Sequence, residues 1–354
     1  MDMETLLVDS RGLEQVESVL AKSFARSKAR AATLGPTYHH LWETLENCAA
    51  GGKRFRPRMV MTAYDCLAGT DRATAAMVAA SFEMLHTALI VHDDVIDRDF
   101  VRRGIPNVSG TYRQLAENAG LAPDDAAHRG LSMGVIAGDL ALSSAHRLLD
   151  GVRTDPATRE RLGWLLDDAV FASAAGELLD VDASTSNTTS SEDTLQMARL
   201  KTAVYSFESP LKAGAVLAGA DETIIDSLGD FGRDVGIAYQ VADDILGVFG
   251  DEKTTGKTTW GDLREGKRTA LISYVAQRAE WEEVSSLIGS SELSAAGAEK
   301  IRGVLRTCGA LDHAVALATE YAQRAQVHLE AGHIPAELRQ GLSPVATAVL
   351  ARVR

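Results

Sequence analysis

Residues 85–104 read LHTALIVHDDVIDRDFVRRG, and the period of this stretch decides the fold. Apolar side chains recur at three- and four-residue intervals, with no sustained alternation of β-branched and polar residues, which marks an amphipathic helix rather than a strand. On that helix Asp93 and Asp97 stand one turn apart and Asp94 lies three residues before Asp97, so these carboxylates crowd one face at the carboxyl end. Their mutual repulsion, added to the negative end of the helix dipole, calls for a cation. Short oxygen ligands suit a hard ion, and Mg²⁺ in particular takes a few carboxylates while phosphate oxygens and water fill its remaining positions. Taken alone, the cluster also reads as a solvated acidic helix end.

Outward from this stretch the helical period runs through nearly the whole chain, so the expected fold is all-α. Pro36, Pro57, Pro106, Pro123, Pro156 and Pro210 fall where helices should start or stop, and the proline-free run that ends at Pro335 reads as several long helices. The polar run DASTSNTTSSED, residues 182–193, predicts a mobile loop, because such side chains bury too little apolar area to join a core. No shift in composition marks a boundary, so residues 1–354 are expected to form a single domain.

The chain has 354 residues, 36 basic against 49 acidic, for a net charge of −13, with 45% apolar residues. That balance excludes a general nucleic-acid binder, which needs a clustered basic surface, and confines any phosphate site to a pocket. Cys48, Cys66 and Cys308 are too widely spaced for a disulfide framework or a cysteine-rich zinc site. The amino terminus lacks the pattern of a signal peptide, and the apolar stretch 75–91 is short and interrupted by Glu83 and His86, so no transmembrane segment and a cytoplasmic location are expected.

A second acidic pair lies in YQVADDILGVFGD, residues 239–251, where Asp243 and Asp244 share a helix face with Gln240. Gly247 stands where a third carboxylate would complete the set. Two helices presenting such pairs inward can clamp a diphosphate through bridging metal ions. Basic residues offset the charge. GGKRFRP, residues 51–57, places Lys53, Arg54 and Arg56 behind two glycines and just before a helix, a pattern that suits a phosphate. Arg102 and Arg103 follow Asp97 closely enough to reach the same cavity with forked donors. His86 lies nearly two turns before Asp93 on the same face.

These motifs, in order GGKRFRP, LHTALIVHDDVID, RRG (102–104), KT (201–202), YQVADD and GKTTWGDLREGKRT (256–269), resemble those of the trans-isoprenyl diphosphate synthases, and most of all the bacterial geranylgeranyl diphosphate synthases. The resemblance implies a single-domain antiparallel helical barrel with a central cavity, usually a homodimer. It implies that Asp93, Asp94, Asp97, Asp243 and Asp244 bind Mg²⁺, about three ions bridging both motifs and an allylic diphosphate. By the same resemblance Lys53, Arg56, His86 and Arg103 would hold isopentenyl diphosphate. Arg102, Lys201, Thr202, Gln240, Lys257 and Lys267 would hold the allylic substrate (dimethylallyl, geranyl or farnesyl diphosphate), and Lys201 and Lys257 would share in catalysis. The implied reaction is metal-assisted ionisation, condensation and proton loss. Two positions depart from the common pattern: Gly247, and GELLD (176–180) where GQxxD is usual.

Product length is read from the helix leading into Asp93. Ala88 and Leu89 lie about one turn beneath it, where shorter-product relatives carry an aromatic ring, while Leu85 and Phe82 are bulky enough to form a floor deeper down. Geranylgeranyl diphosphate is therefore the expected product, with farnesyl or a longer chain as the alternative. A terpene cyclase and a non-catalytic subunit of a heteromeric synthase are the competing classes. A cyclase has no use for a second diphosphate site, and a non-catalytic subunit would not need both acidic clusters.

Overall fold

Asp71 starts the helix that carries the first acidic cluster. Its side chain accepts from the Thr74 backbone N–H at 3.1 Å and from the Thr74 hydroxyl at 2.6 Å, satisfying donors that the first turn leaves open. The helix, Arg72–Ile96, buries Phe82, Met84, Leu85, Ala88 and Val91 and stops at Asp97, whose backbone N–H closes on the Asp93 carbonyl. The computed structural model to which it belongs describes residues 10–185, 190–250 and 260–352.

In chain order the helices are α1 (Ser10–Ala32), α2 (Pro36–Ala49), α3 (Phe55–Cys66), α4 (Arg72–Ile96), α5 (Val108–Asn118), α6 (Pro123–Asp150), α7 (Pro156–Thr185), α8 (Ser191–Ala198), a π-helical segment Arg199–Glu208, α9 (Ser209–Leu217) and α10 (Glu222–Phe249). Further helices span Gly261–Glu265, Ala270–Val275, Trp281–Val284, Ala295–Thr307, Ala310–Leu329 and Ala336–Ala351. The fold is all-α; among the described residues the strands are two-residue pieces, β1 (Val101–Arg102) and β2 (Ile105–Pro106), paired as a hairpin. Pro36, Pro123 and Pro156 each open a helix, where a missing N–H costs nothing.

Two expectations are corrected. The proline-free run is not made of long helices throughout, since between Trp260 and Gly289 it breaks into three short ones, with Gly266 and Gly289 in left-handed conformations. The polar run 182–193 is not all loop. Residues 182–185 extend α7, with Ala183 buried, and α8 opens at Ser191 behind a capping box in which the Ser190 hydroxyl accepts from the Asp193 backbone N–H while the Asp193 carboxylate accepts from the Ser190 N–H. Residues 186–189 lie outside the described residues.

The described residues group into two compact units, 10–167 with 213–220, and 168–212 with 221–352. In the first, α4 packs against α1, α3 and α6, and α5 lies on α6. In the second, α10 packs against the π-helical segment and Ala310–Leu329, around a core that includes Ile237, Val241, Ile245, Leu263, Leu271, Leu305 and Ala314. Among the described residues α4 alone is long and apolar enough to cross a membrane, and 72% of its apolar window is buried inside the protein.

Candidate functional site

The end of α4 delivers its carboxylates to an arginine. Asp94 is 2% exposed, and its Oδ1 accepts from Arg102 Nε at 2.8 Å, while Asp93 Oδ2 accepts from Arg102 Nη2 at 3.1 Å. The hairpin makes this return possible. Arg103 and Gly104 form its turn with φ of 55° and 76°, the left-handed pair a two-residue hairpin requires. Burial, partly offset by Arg102 and reinforced by Asp93 and Asp99, pushes the Asp94 carboxyl up to about 6. Its Oδ2 is buried and has no hydrogen-bond partner among the described residues. Asp97 sits at the carboxyl cap of the helix.

Arg103 points the other way and donates to the Gly51 carbonyl at 3.3 Å, tying the hairpin to the GGKRFRP loop. Around that loop lies a small open cleft lined by residues that include Gly52, Arg54, Glu83, His86, Thr87 and Arg103. Burial first, and then the charges of Arg56, Arg102, Arg103 and Arg54, hold the His86 imidazole well below its usual range, so it stands neutral among cations. A site built this way favours an anion. Arg54, however, is not available to one. It is 8% exposed, takes a left-handed φ of 51°, and donates to Glu83 at 2.8 Å, to the Ala49 carbonyl at 2.8 Å and to Glu17 at 3.2 Å. Its role in the loop is internal support, a correction to the reading that grouped it with Lys53 and Arg56 as a ligand candidate.

In the other unit, the second acidic pair is organised by its own helix and by the π-helical segment. Gln240 Nε2 donates to Asp244 Oδ1 at 2.8 Å, and its Oε1 accepts from the Thr202 hydroxyl at 2.6 Å. Burial, opposed by the Gln240 hydrogen bond and aided by Asp262, Asp243 and Asp180, raises the Asp244 carboxyl well above its usual range. Asp243 Oδ1 accepts from Arg352 Nη2 at 2.6 Å, and the Arg352 guanidinium lies 4.5 Å over the Tyr239 ring. Burial opposes the Arg352 charge, yet Asp243 and Tyr239 leave its pKa raised.

Lys201 Nζ pairs with Asp180 at 2.6 Å and with Glu177 at 2.9 Å, the two acids of GELLD. Gly176 of the same motif is needed for this approach, because a Cβ there would overlap the backbone of Lys201. Long π-helical stretches are uncommon and concentrate at functional sites. Gly247 lies beside Asp262, whose carboxylate takes up the space that a Cβ there would need and would have to turn aside to admit a third aspartate. Lys267 pairs with Glu265 at 3.1 Å and approaches Asp262 at 3.9 Å. Lys257 lies outside the described residues, as do residues 251–258 of the glycine- and lysine-rich segment after α10 and Thr259.

Ala88 is 1% exposed, and Leu85 and Phe82 are fully buried, while Leu89 is half-buried. Reasoning from sequence missed Arg352, for which no local motif exists. It also passed over Asp262, although GDLREG displayed it. No group of three or more metal-ligating side chains stands preassembled among the described residues. Each motif instead offers a pair of carboxylates, a set that Mg²⁺ can use with diphosphate oxygens and water supplying the rest.

A family model for polyprenyl synthetase matches residues 39–305. The chain is 34% identical to the geranylfarnesyl diphosphate synthase of Aeropyrum pernix over 281 residues, 78% of this chain and 82% of that one. It is 31% identical to the geranylgeranyl diphosphate synthase of Sulfolobus acidocaldarius over 281 residues, 78% of this chain and 79% of the relative. Among solved structures, the geranylgeranyl pyrophosphate synthase of Corynebacterium glutamicum, complexed with isoprenyl diphosphate and magnesium, superposes with a TM-score of 0.90 at 29% identity, covering 98% of this chain and 100% of that one.

Proposed function

The chain belongs to the polyprenyl synthetase family of trans-prenyltransferases, and from that membership we propose that it condenses isopentenyl diphosphate with allylic diphosphates to make geranylgeranyl diphosphate. The observation that carries the reading is the presence of two kinds of charged site. One is a cleft lined by Arg103 around a neutral His86 that also feels the charges of Arg56 and Arg102, and the other is a pair of acidic motifs with raised carboxyl pKa values at Asp94 and Asp244. A cyclase, with a single diphosphate to bind, has no use for the first.

Asp93, Asp94 and Asp97 would hold Mg²⁺ at the first motif, and Asp243 and Asp244 would do so at the second. The buried, unpartnered Oδ2 of Asp94 fits that assignment, since such an oxygen is costly without a cation or donor. When bound, the metal neutralises charge that develops on the departing allylic diphosphate. Arg102, Lys201, Thr202, Gln240, Lys257 and Lys267 orient that group and share its charge. Lys201 reaches it by leaving Glu177 and Asp180. Lys53, Arg56, His86 and Arg103 hold the second diphosphate in the cleft, so that the double bond of isopentenyl diphosphate is positioned to attack as the allylic C–O bond breaks. Proton loss then completes the new double bond, and the released diphosphate is a sufficient base.

Aliphatic Ala88 and Leu89 permit growth past fifteen carbons, and Leu85 and Phe82 form the floor. The Aeropyrum relative, a geranylfarnesyl diphosphate synthase, favours a product one isoprene unit longer as the second reading. Labelled isopentenyl diphosphate supplied with each allylic starter, followed by chromatography of the dephosphorylated products, decides between them. Mostly twenty-carbon product supports the proposal, twenty-five the second reading, and no condensation overturns both.

The assembly we propose is a homodimer. Phe171, Ala174, Leu178 and Val181 are exposed on α7 at intervals of three and four residues, Phe171 at 77% and Leu178 at 61%, a stripe that a second copy would cover. Sedimentation of wild type and Phe171→Glu tests it, and a monomeric wild type overturns it. The location we propose is the cytoplasm, where Cys48, Cys66 and Cys308, none of them in a disulfide, would stay reduced.

A further inference from the structure

Arg352 follows directly on the helix Ala336–Ala351 and is placed by two residues one turn apart on α10. Its Nη2 lies 2.6 Å from Asp243 Oδ1, and its guanidinium carbon is 4.5 Å from the centre of the Tyr239 ring. A contact to one carboxylate alone would be weak at a partly exposed site. The aromatic face beneath restricts where the guanidinium can go and adds a second attraction. The helix that carries Arg352 packs on Ala310–Leu329 and on α10, so the arginine arrives from a supported element.

A hard divalent ion needs a carboxylate oxygen at about 2.0–2.1 Å. It cannot share that oxygen with a guanidinium lying against it, because two cations at such separation repel. The pair at Asp243 and Asp244 is also short of a third carboxylate at Gly247, so its attraction for a metal is modest at the outset and a competing charge counts for more.

We propose that Arg352 is a built-in counter-cation of the second acidic pair, which a divalent ion must displace from Asp243 before it can bind there. The inference rests on the reading of Asp243 as a metal ligand. Arg352 thereby sets the metal concentration at which the second motif fills, and acts as a positioning residue rather than a catalytic one. In the metal-free protein the same contact holds the end of the helix Ala336–Ala351 against α10.

The test is calorimetric titration of the metal-stripped full chain with Mn²⁺, without any diphosphate, for wild type, Arg352→Gln, Arg352→Lys and Asp243→Asn. Removing the charge should tighten Mn²⁺ binding about three- to tenfold, lysine should stay close to wild type, and Asp243→Asn should weaken binding. If Arg352→Gln matches wild type while Asp243→Asn weakens binding, the counter-cation is wrong and the metal reading stands. If all four proteins bind alike, the metal reading fails and takes this inference with it. Equal tightening by lysine and glutamine also overturns the proposal, because the effect would not follow charge.

Discussion

Arg54, between Lys53 and Arg56 in sequence, donates to the buried carboxylate of Glu83 on α4 at 2.8 Å. Arg54 thus fixes the loop to the helix that bears the first acidic motif, while Lys53 and Arg56 are the members of GGKRFRP proposed to hold isopentenyl diphosphate. Removing it would strand Glu83, which is 4% exposed, without its charge partner. Arg54→Ala should therefore destabilise the fold by about 3–5 kcal/mol. Lys53→Ala and Arg56→Ala should raise KM for isopentenyl diphosphate more than for the allylic substrate. Thermal denaturation beside initial-rate kinetics separates the two behaviours, and a stable Arg54→Ala would show that the pair contributes little.

Asp94 makes stability depend on pH in a direction opposite to that of most carboxylates. Its folded pKa of about 6 exceeds the ordinary value of 3.8, so between those values the native state binds more protons than the unfolded chain. The stabilisation is complete below the ordinary value and is lost as pH rises through the folded one. At neutral pH the ionised form costs up to about 3 kcal/mol. In chelator, Asp94→Asn should melt a few degrees above wild type at pH 7 and level with it at pH 4, while its turnover with Mg²⁺ should fall by orders of magnitude. A variant that melts below wild type at pH 7 would show that the Arg102 contact outweighs burial.

Glu177 departs from the GQxxD pattern, and its carboxylate holds Lys201 at 2.9 Å together with Asp180. Glu177→Gln should release part of that hold and lower the allylic KM, by up to about fivefold for a half-exposed pair. An unchanged or higher KM would mean that Asp180 alone sets the position of Lys201.

Restoring an aspartate at Gly247 should harm the enzyme rather than improve it. The Asp262 carboxylate already fills that space, and a further negative charge would join a group in which Asp244 is protonated more readily than normal. Gly247→Asp is expected to lower turnover, and Gly247→Asp with Asp262→Gly to recover part of it. Full activity in the single variant would refute the account.

Ala88 is buried on α4, one turn before the acidic cluster. Ala88→Phe should shift the product from geranylgeranyl towards farnesyl diphosphate, read by chromatography of the dephosphorylated chains. An unchanged distribution would remove Ala88 from the path of the growing chain.

The helix Arg72–Ile96 and its acidic end were legible because spacing along one helix is a local property. The same holds for Gln240 with Asp244. Arg54 was misread because a row of basic residues does not say which of them turns inward, and the partner Glu83 lies on another helix. Arg352 left no trace in sequence, since its contact with Asp243 joins distant parts of the chain. Gly247 looked like a defect until Asp262 was seen to occupy its space.

The turn at Arg103 and Gly104 has one more consequence. Consecutive side chains leave the hairpin in opposite senses, Arg102 to the carboxylates of α4 and Arg103 to the carbonyl of Gly51. On the proposed assignment they attend different diphosphates, so a single peptide unit acts as a ruler between the two substrates. Specificity for either one can drift by changing its own contacts, but a change in the turn itself would shift both ends of the ruler together.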